Sequence, residues 1–404
     1  MKSRFVIIAA LAGVLALSPV YALAQDADSI VLTYERNFLR SSLSTKLAIV
    51  KESSAYKAAD MGSLYEQALR FVVESEPLLG SDAELKSLAL AAAAKAGEAA
   101  YTASSGELLG LFDVYGNDPE VRAAAVAALA TAGIGNGTVL ERLNAFLAAQ
   151  AQRLRSGAEP ESPALAACVG TLGALGDASS MEPLFAVYSS GAQADVAASA
   201  AASLGKLKGD YAAYLAKAIA ERPLPEKLAA LDLCLGEASF TANVKGALAE
   251  SALSVALSFK GEPDAGILAT LEREAAASIR DQRWQRASPL VLQYYRLLLA
   301  QYGSSDGKDA AAQSLRGDLA KAIGALGVMG SSEAVQALSL QLQLINGQTE
   351  QGGAFDEVIL RSVIDALGEL GDKAAFDYLL YVGYLQYPDS IKQSAKAALQ
   401  RLKW

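Results

Sequence analysis

The stretch 356-DEVILRSVIDALGELGDKAAFDYLL-380 decides the fold. Val358, Ile359, Val363, Ala366, Leu367 and Leu370 recur at steps of three and four residues, which places them along one side of a 3.6-residue spiral. Gly371 suits the left-handed position just past a helix end, where a Cβ is penalised. Asp372 can then accept the free amides that open a second helix. The chain is expected to reverse there, with Ala374, Phe376, Tyr378, Leu379 and Val382 carrying the apolar pattern back. Two helices this short cannot bury their apolar sides alone, so the pair requires neighbours of its own kind.

Such neighbours recur along the chain. Asn117-Asp118-Pro119-Glu120-Val121-Arg122 starts a helix with a cap and a proline in its first turn, and Ala125, Ala128 and Leu129 continue its inner side to Gly133. Related units are Leu172-Gly173-Ala174-Leu175-Gly176-Asp177, Leu204-Gly205-Lys206-Leu207, Leu235-Gly236, Leu326-Gly327-Val328-Met329-Gly330 and Leu367-Gly368-Glu369-Leu370-Gly371-Asp372, with a last helix over 389–402. Anchored on Leu129, Leu172, Leu204, Leu235, Leu326, Leu367 and Leu399, the steps are 43, 32, 31, 91, 41 and 32 residues. Periods of about 30 to 47 residues belong to helical-pair repeats. The first glycine of each unit lies inside a helix at a cost of about 1 kcal/mol against alanine, so a neighbouring helix is expected to pass close to it.

The order Asp-Pro-x-Val-Arg followed by Ala and Ala-Leu resembles the second helix of a HEAT repeat, in particular the short HEAT-like type of phycobilin lyases. That resemblance implies an all-α, right-handed α-α superhelix of roughly seven to nine helical pairs. It also implies a scaffold role, since HEAT arrays generally offer an extended face to another protein.

Three segments are expected: a leader at 1–24, an N-terminal helical cap with the first repeats at 25–110, and the array at 111–404, degenerate over 245–302. Helices read over 26–54, 64–73 (stopped near Pro77), 85–96 (ended by Gly97), 244–259, 267–280 and 290–302. Flexible loops read at 155–160, 303–307 and 346–353. In the leader, Lys2 and Arg4 precede an apolar run from Phe5 to Leu17, then Ser18-Pro19 and Ala22-Leu23-Ala24, the order of a secretory signal cleaved before Gln25. The run falls short of the ~20 residues that span a bilayer, so the mature chain is expected to be soluble and exported, in the periplasm or beyond.

Composition agrees with helices packed through small side chains. Hydrophobic residues make up 52% of the 404, aromatics only 7%, so the apolar content is mainly Ala and Leu. The formal charge of −9 becomes −11 without Lys2 and Arg4. An acidic surface repels phosphate backbones, so nucleic acid is not an expected partner. The chain has no histidine, which removes the usual general base, the imidazole metal ligand and the usual haem ligand. Without it no Ser-His-Asp arrangement exists, and no glycine-rich segment follows a strand as a dinucleotide site or P-loop needs. No cofactor and no metal is expected. Cys168 and Cys234 read as lying two repeats apart, near 20 Å at about 10 Å per helix layer, whereas a disulfide needs Cα atoms within about 7 Å. They are expected to be buried free thiols.

Two constellations are candidate partner-binding sites. Arg280, Arg283, Trp284 and Arg286 form a dense cationic and aromatic cluster in an acidic chain, and Arg and Trp are enriched at binding hot spots. The other reading packs Trp284 between repeats and pairs the arginines with Glu272, Glu274 and Asp281. Tyr378, Tyr381, Tyr384 and Tyr387 step by three along a slowly turning face, able to present phenols to a ligand or to divide between core and surface. The expected function is an exported, non-catalytic scaffold that binds another protein. The alternative is a small-molecule or pigment binder, or a lyase-like enzyme, on the same frame; the missing histidines exclude the iron-dependent hydroxylases that some HEAT-like proteins resemble.

Overall fold

The computed structural model describes residues 18–260, 264–304 and 310–403, with side chains from residue 29 onward. Apart from one bridge pair, Asp372 with Lys403, every regular element among the described residues is helical, and the protein is all-α. The chain divides into two compact units, Met1–Tyr211 and Ala212–Trp404. The first holds α1 (Ser18–Arg40), α2 (Leu43–Glu52), α3 (Gly62–Leu79), α4 (Ala83–Ala99), α5 (Ser105–Val114), α6 (Pro119–Ala132), α7 (Gly137–Arg155), α8 (Ser162–Leu175), α9 (Met181–Tyr188) and α10 (Ala194–Leu204). The second holds α11 (Tyr211–Glu221), α12 (Leu224–Gly236), α13 (Ala242–Leu257), α14 (Ala265–Asp281), α15 (Ser288–Ser304), α16 (Ala310–Gly327), α17 (Ser332–Glu350), α18 (Glu357–Leu370), α19 (Phe376–Val382) and α20 (Asp389–Gln400).

Each unit is a two-layer stack of hairpins. In the first, the even-numbered helices α2 to α10 pack on one another in chain order, and each odd-numbered helix packs against the even one that follows it. In the second, α12, α14, α16, α18 and α20 form one layer, and α13, α15, α17 and α19 the other. The reversals follow the local chemistry. Gly371 sits at φ 67° beyond α18, its amide bonded to the Leu367 carbonyl (3.1 Å), and the Asp372 carboxylate accepts the Ala374 amide at 2.8 Å. Of the first glycines of the repeated units, Gly173, Gly327 and Gly368 mark close passages, while Gly205 lies past the end of α10 and a Cβ on Gly236 would meet nothing within 4 Å; Gly97, read as a helix end, marks another. A Cβ on Gly97 would lie 3.0 Å from the Ala128 Cα, one on Gly327 3.0 Å from the Ala366 Cα, and one on Gly368 2.8 Å from the Ala398 Cβ. Each such glycine lets consecutive even-numbered helices nest backbone to backbone.

The two units repeat one plan. Gly176 (φ 68°) and Asp177, which caps Ser179, do for α8 what Gly371 and Asp372 do for α18. Both turns receive an amide from further along the chain, Lys208 to the Gly176 carbonyl (2.9 Å) and Lys403 to the Gly371 carbonyl (2.7 Å). Ala100 (φ 50°) and Arg283 (φ 49°) follow α4 and α14 in the same left-handed conformation. The aromatic ring after each, Tyr101 or Trp284, lies against a glycine of the preceding helix, Gly62 or Gly246. Lys46 in α2 and Lys227 in α12 are both buried, each with its ammonium on two carbonyls at the end of the helix before it: Phe38 and Leu39, Ile219 and Ala220. The register between units is 181 residues at Lys46 and Lys227, 183 at Ala100 and Arg283, and 195 at Gly176 and Gly371. Most of the increase falls at α15 and α16, which have 17 and 18 residues where α5 and α6 have 10 and 14.

Several expectations are corrected. The helix over 26–54 is broken at Ser41–Ser42, where the buried Lys46 terminates α1. Helix α3 runs from Gly62 to Leu79, longer than 64–73 but ending within the stop read at 77–80, and α4 runs past Gly97 to Ala99. Val358 and Ala374 face solvent. The loop expected at 346–353 is helical as far as Glu350, because Asn346 is buried and held by side-chain bonds to α19 and the segment after it. By contrast, the segment 245–302, which lacks the Leu-Gly signature, holds the three helices read there, as α13, α14 and α15. Leader residues 1–17 and loop residues 305–307 lie outside the described residues.

Asp356, the cap of α18, joins three helices. It accepts the Val358 amide (2.9 Å), the Tyr302 hydroxyl of α15 (2.6 Å) and the Arg316 guanidinium of α16 (2.6 Å). Burial works against its charge, but Arg316 and Tyr302 together hold the Asp356 carboxyl below its usual range. Burial and the Asp356 anion push the Tyr302 phenol up to about 12, and burial alone takes Tyr295 to about 12. Between pH 10 and 12 the unfolded chain releases these protons while the folded chain keeps them, so this stabilisation is present below pH 10 and lost as pH rises to 12. Denaturant midpoints from pH 8 to 12 should decline above pH 10, and Tyr302→Phe and Tyr295→Phe together should flatten that decline.

Candidate functional site

The tyrosine constellation is brought together by α17 and α19, neighbours in one layer of the second unit. Between them runs a groove of about 730 Å³, walled by Leu340, Leu344 and Glu350 from α17 and by Asp377, Tyr378 and Tyr381 from α19. The Asn346 amide, buried beneath it, donates to the Tyr378 carbonyl (3.4 Å), and the Tyr387 hydroxyl lies 3.0 Å from both the Asn346 Oδ1 and the Thr349 Oγ1. Tyr387 is therefore a buried tie between the walls, set apart from Tyr378, Tyr381 and Tyr384. The Tyr381 hydroxyl donates to the Glu350 carboxylate across the groove (3.0 Å), whose charge raises the Tyr381 phenol above its usual range.

The apolar surface here is unusual for an exposed helix pair. On the groove Leu340 is 56% exposed, Leu344 55% and Tyr381 39%, and Tyr384, just past the end of α19 and outside the groove lining, is 77% exposed. At the register of 195 set by Gly176 and Gly371, the matching residues of the first unit are Ala145, Ala149, Ala186 and Ser189. The same frame thus forms with small side chains at all four positions. Leu340, Leu344, Glu350 and Asp377 were not singled out by sequence reasoning, because an isolated leucine on a helix reads as core. Aligning the units on their left-handed glycines is the signal that finds them.

The arginine–tryptophan cluster is divided. Trp284 packs on Gly246 and its indole N–H donates to the Glu250 carboxylate (2.7 Å), with the Arg286 Nε 3.6 Å from the same group. Arg280 is held by Asp281, with Nη2 at 2.8 Å. Trp284 fills the structural role that Tyr101 fills in the first unit. Arg283 differs: it is exposed and has no ion pair among the described residues, and with Arg280 it borders a separate trough above α16. Tyr294 and Tyr295 are buried.

Cys168 and Cys234 are buried free thiols, and burial pushes both up, Cys234 to about 11, so neither is a reactive thiolate. Among the described residues no three His, Cys, Asp or Glu side chains are grouped so as to hold a metal ion, and no helix is long and apolar enough to cross a membrane. No protein-family model matches the chain, and no curated protein matches it in sequence.

Proposed function

We propose that the chain is an exported, non-catalytic scaffold of HEAT-like, right-handed solenoid type that docks another protein on the α17–α19 groove. The observation that carries this reading is the exposed set Leu340, Leu344, Tyr381 and Tyr384, where the sister frame stands on Ala145, Ala149, Ala186 and Ser189. Exposed apolar and aromatic side chains beside a polar rim are the make-up of an interface core. The two-layer hairpin packing within each unit is compatible with such an array. The rim carboxylates Glu350 and Asp377, with the acidic balance of the whole chain, favour a partner surface that is apolar with basic flanks and disfavour nucleic acid.

A photo-crosslinking residue at position 344, with the same residue at 149 as control, tests the proposal in cells producing the chain. Position 344 should give a discrete protein adduct whose yield falls at least fivefold with Tyr381→Ala, and position 149 should give none. Absence of an adduct at 344, or equal adducts at both, sinks it. The groove volume of about 730 Å³ also lies in the range of small-molecule sites, which is the observation that favours a pigment or small-ligand carrier. Native mass spectrometry of the purified chain, showing a bound non-protein mass lost with Tyr381→Ala, would select that second reading.

A further inference from the structure

The trough bordered by Arg283 has a different chemistry and lies on the other layer of the second unit. Its floor is α16, where Ala320, Gly324 and Val328 stand on one stripe, and a Cβ added to Gly324 would meet nothing within 4 Å. One wall is the end of α14 with the Arg280–Asp281 pair and Arg283, which is unpaired among the described residues, and the other is α18 with Asp365 and Glu369; the space between is about 440 Å³. Neither Asp365 nor Glu369 has an ion pair or hydrogen bond among the described residues. Burial holds the Asp365 carboxyl above its usual range, only partly offset by the charges of Arg401 and Arg361, a condition that an arriving cation relieves.

The first unit shows that the frame requires none of this. The counterpart of Arg280 is Gly97, so a full arginine side chain stands where the first unit has the glycine of the close passage between α4 and α6. The counterpart of Arg283 is Ala100, and at the register of 195 those of Asp365 and Glu369 are Gly170 and Ala174. The left-handed backbone of Arg283 is shared with Ala100, so it belongs to the turn; the guanidinium is what the second unit adds. Opposite charges therefore face each other across a floor of small side chains.

We propose that this trough binds a short peptide by its two free ends, the carboxylate on Arg283 and the ammonium on Asp365 and Glu369. Arginine pairs well with a carboxylate, and the half-buried Asp365 with the exposed Glu369 beside it suits an ammonium. Two helix spacings separate the axes of α14 and α18 by about 16–20 Å, and the walls reach inward from both sides. On that spacing an extended tripeptide, about 10 Å from end to end, suits the two walls better than a free amino acid, whose charges share one carbon. This inference is independent of the α17–α19 groove.

Titration calorimetry of the purified chain with trialanine, N-acetyl-trialanine, trialanine amide and alanine tests it. Trialanine should bind saturably, and each blocked form and alanine at least tenfold more weakly. Arg283→Gly keeps the left-handed backbone while removing the guanidinium, so it should leave the thermal midpoint unchanged or higher. In that variant trialanine should bind no better than its amide binds the parent chain. Asp365→Asn should likewise reduce trialanine to the affinity of the acetylated form. Absence of saturable trialanine binding, or blocked peptides or alanine binding as tightly as trialanine, overturns the proposal.

Discussion

Replacing Gly368 by leucine is expected to destabilise the second unit by about 3 kcal/mol. A Cβ at this position would lie 2.8 Å from the Ala398 Cβ and 2.9 Å from its Cα, so the new side chain would press on the backbone of α20, which cannot yield as a flexible side chain would. The contrasting substitution is Gly317→Ala in α16. Its Cβ would meet nothing within 4 Å, and it should stabilise the same unit by about 1 kcal/mol through helix propensity alone. Denaturant unfolding followed by hydrogen exchange resolves the two units separately. Equal behaviour of the two variants would mean that α18 and α20 do not depend on that close approach.

The second large effect is expected at Lys227. Its ammonium donates to the Ile219 carbonyl at 2.6 Å and the Ala220 carbonyl at 2.7 Å, terminating α11 from inside α12. Lys227→Ala leaves two carbonyls at a helix end without their charged partner, a loss of about 3 kcal/mol. Lys227→Met retains most of the apolar stem yet should lose nearly as much, because the bonds and not the stem carry the effect. Lys46 is the counterpart in the first unit and has more to lose, since its ammonium also lies 4.5 Å from the Phe38 ring centroid and 4.8 Å from that of Phe71. Amide protection should fall in α11 and α12 for the Lys227 variants and in α1 and α2 for Lys46→Ala. Unchanged protection in either pair would mean that these helix ends find another partner.

Much of the fold is legible because hairpin chemistry is local. Gly371 and Asp372 state in two residues both where α18 stops and how the chain turns, and Gly327 and Gly368 announce the passages at Ala366 and Ala398, whereas Gly97 reads as a helix end and hides the one at Ala128. The doubling of the plan is harder to read. The Leu-Gly signature is lost at α14, where Arg280 replaces the glycine, and the longer α15 and α16, with 17 and 18 residues against 10 and 14 in α5 and α6, carry most of the shift in register from 183 to 195. Asn346 and Gly347 read as a loop since the bonds that keep them helical come from Tyr378 and Tyr387, about thirty to forty positions away. At the candidate site, the tyrosines of α19 were readable from their spacing. The leucines opposite them acquire meaning only beside Ala145 and Ala149, and Trp284 misleads because an indole set against a glycine serves the turn after α14.

The matched registers make the two halves interchangeable parts. The backbone of α7 and α9 already has a natural example of carrying leucine and tyrosine where it now carries alanine, so those side chains can be transplanted at 145, 149 and 186 without redesigning what lies beneath them. If the patch docks a partner as proposed, that partner is then offered a second copy on the same molecule, and binding becomes bivalent.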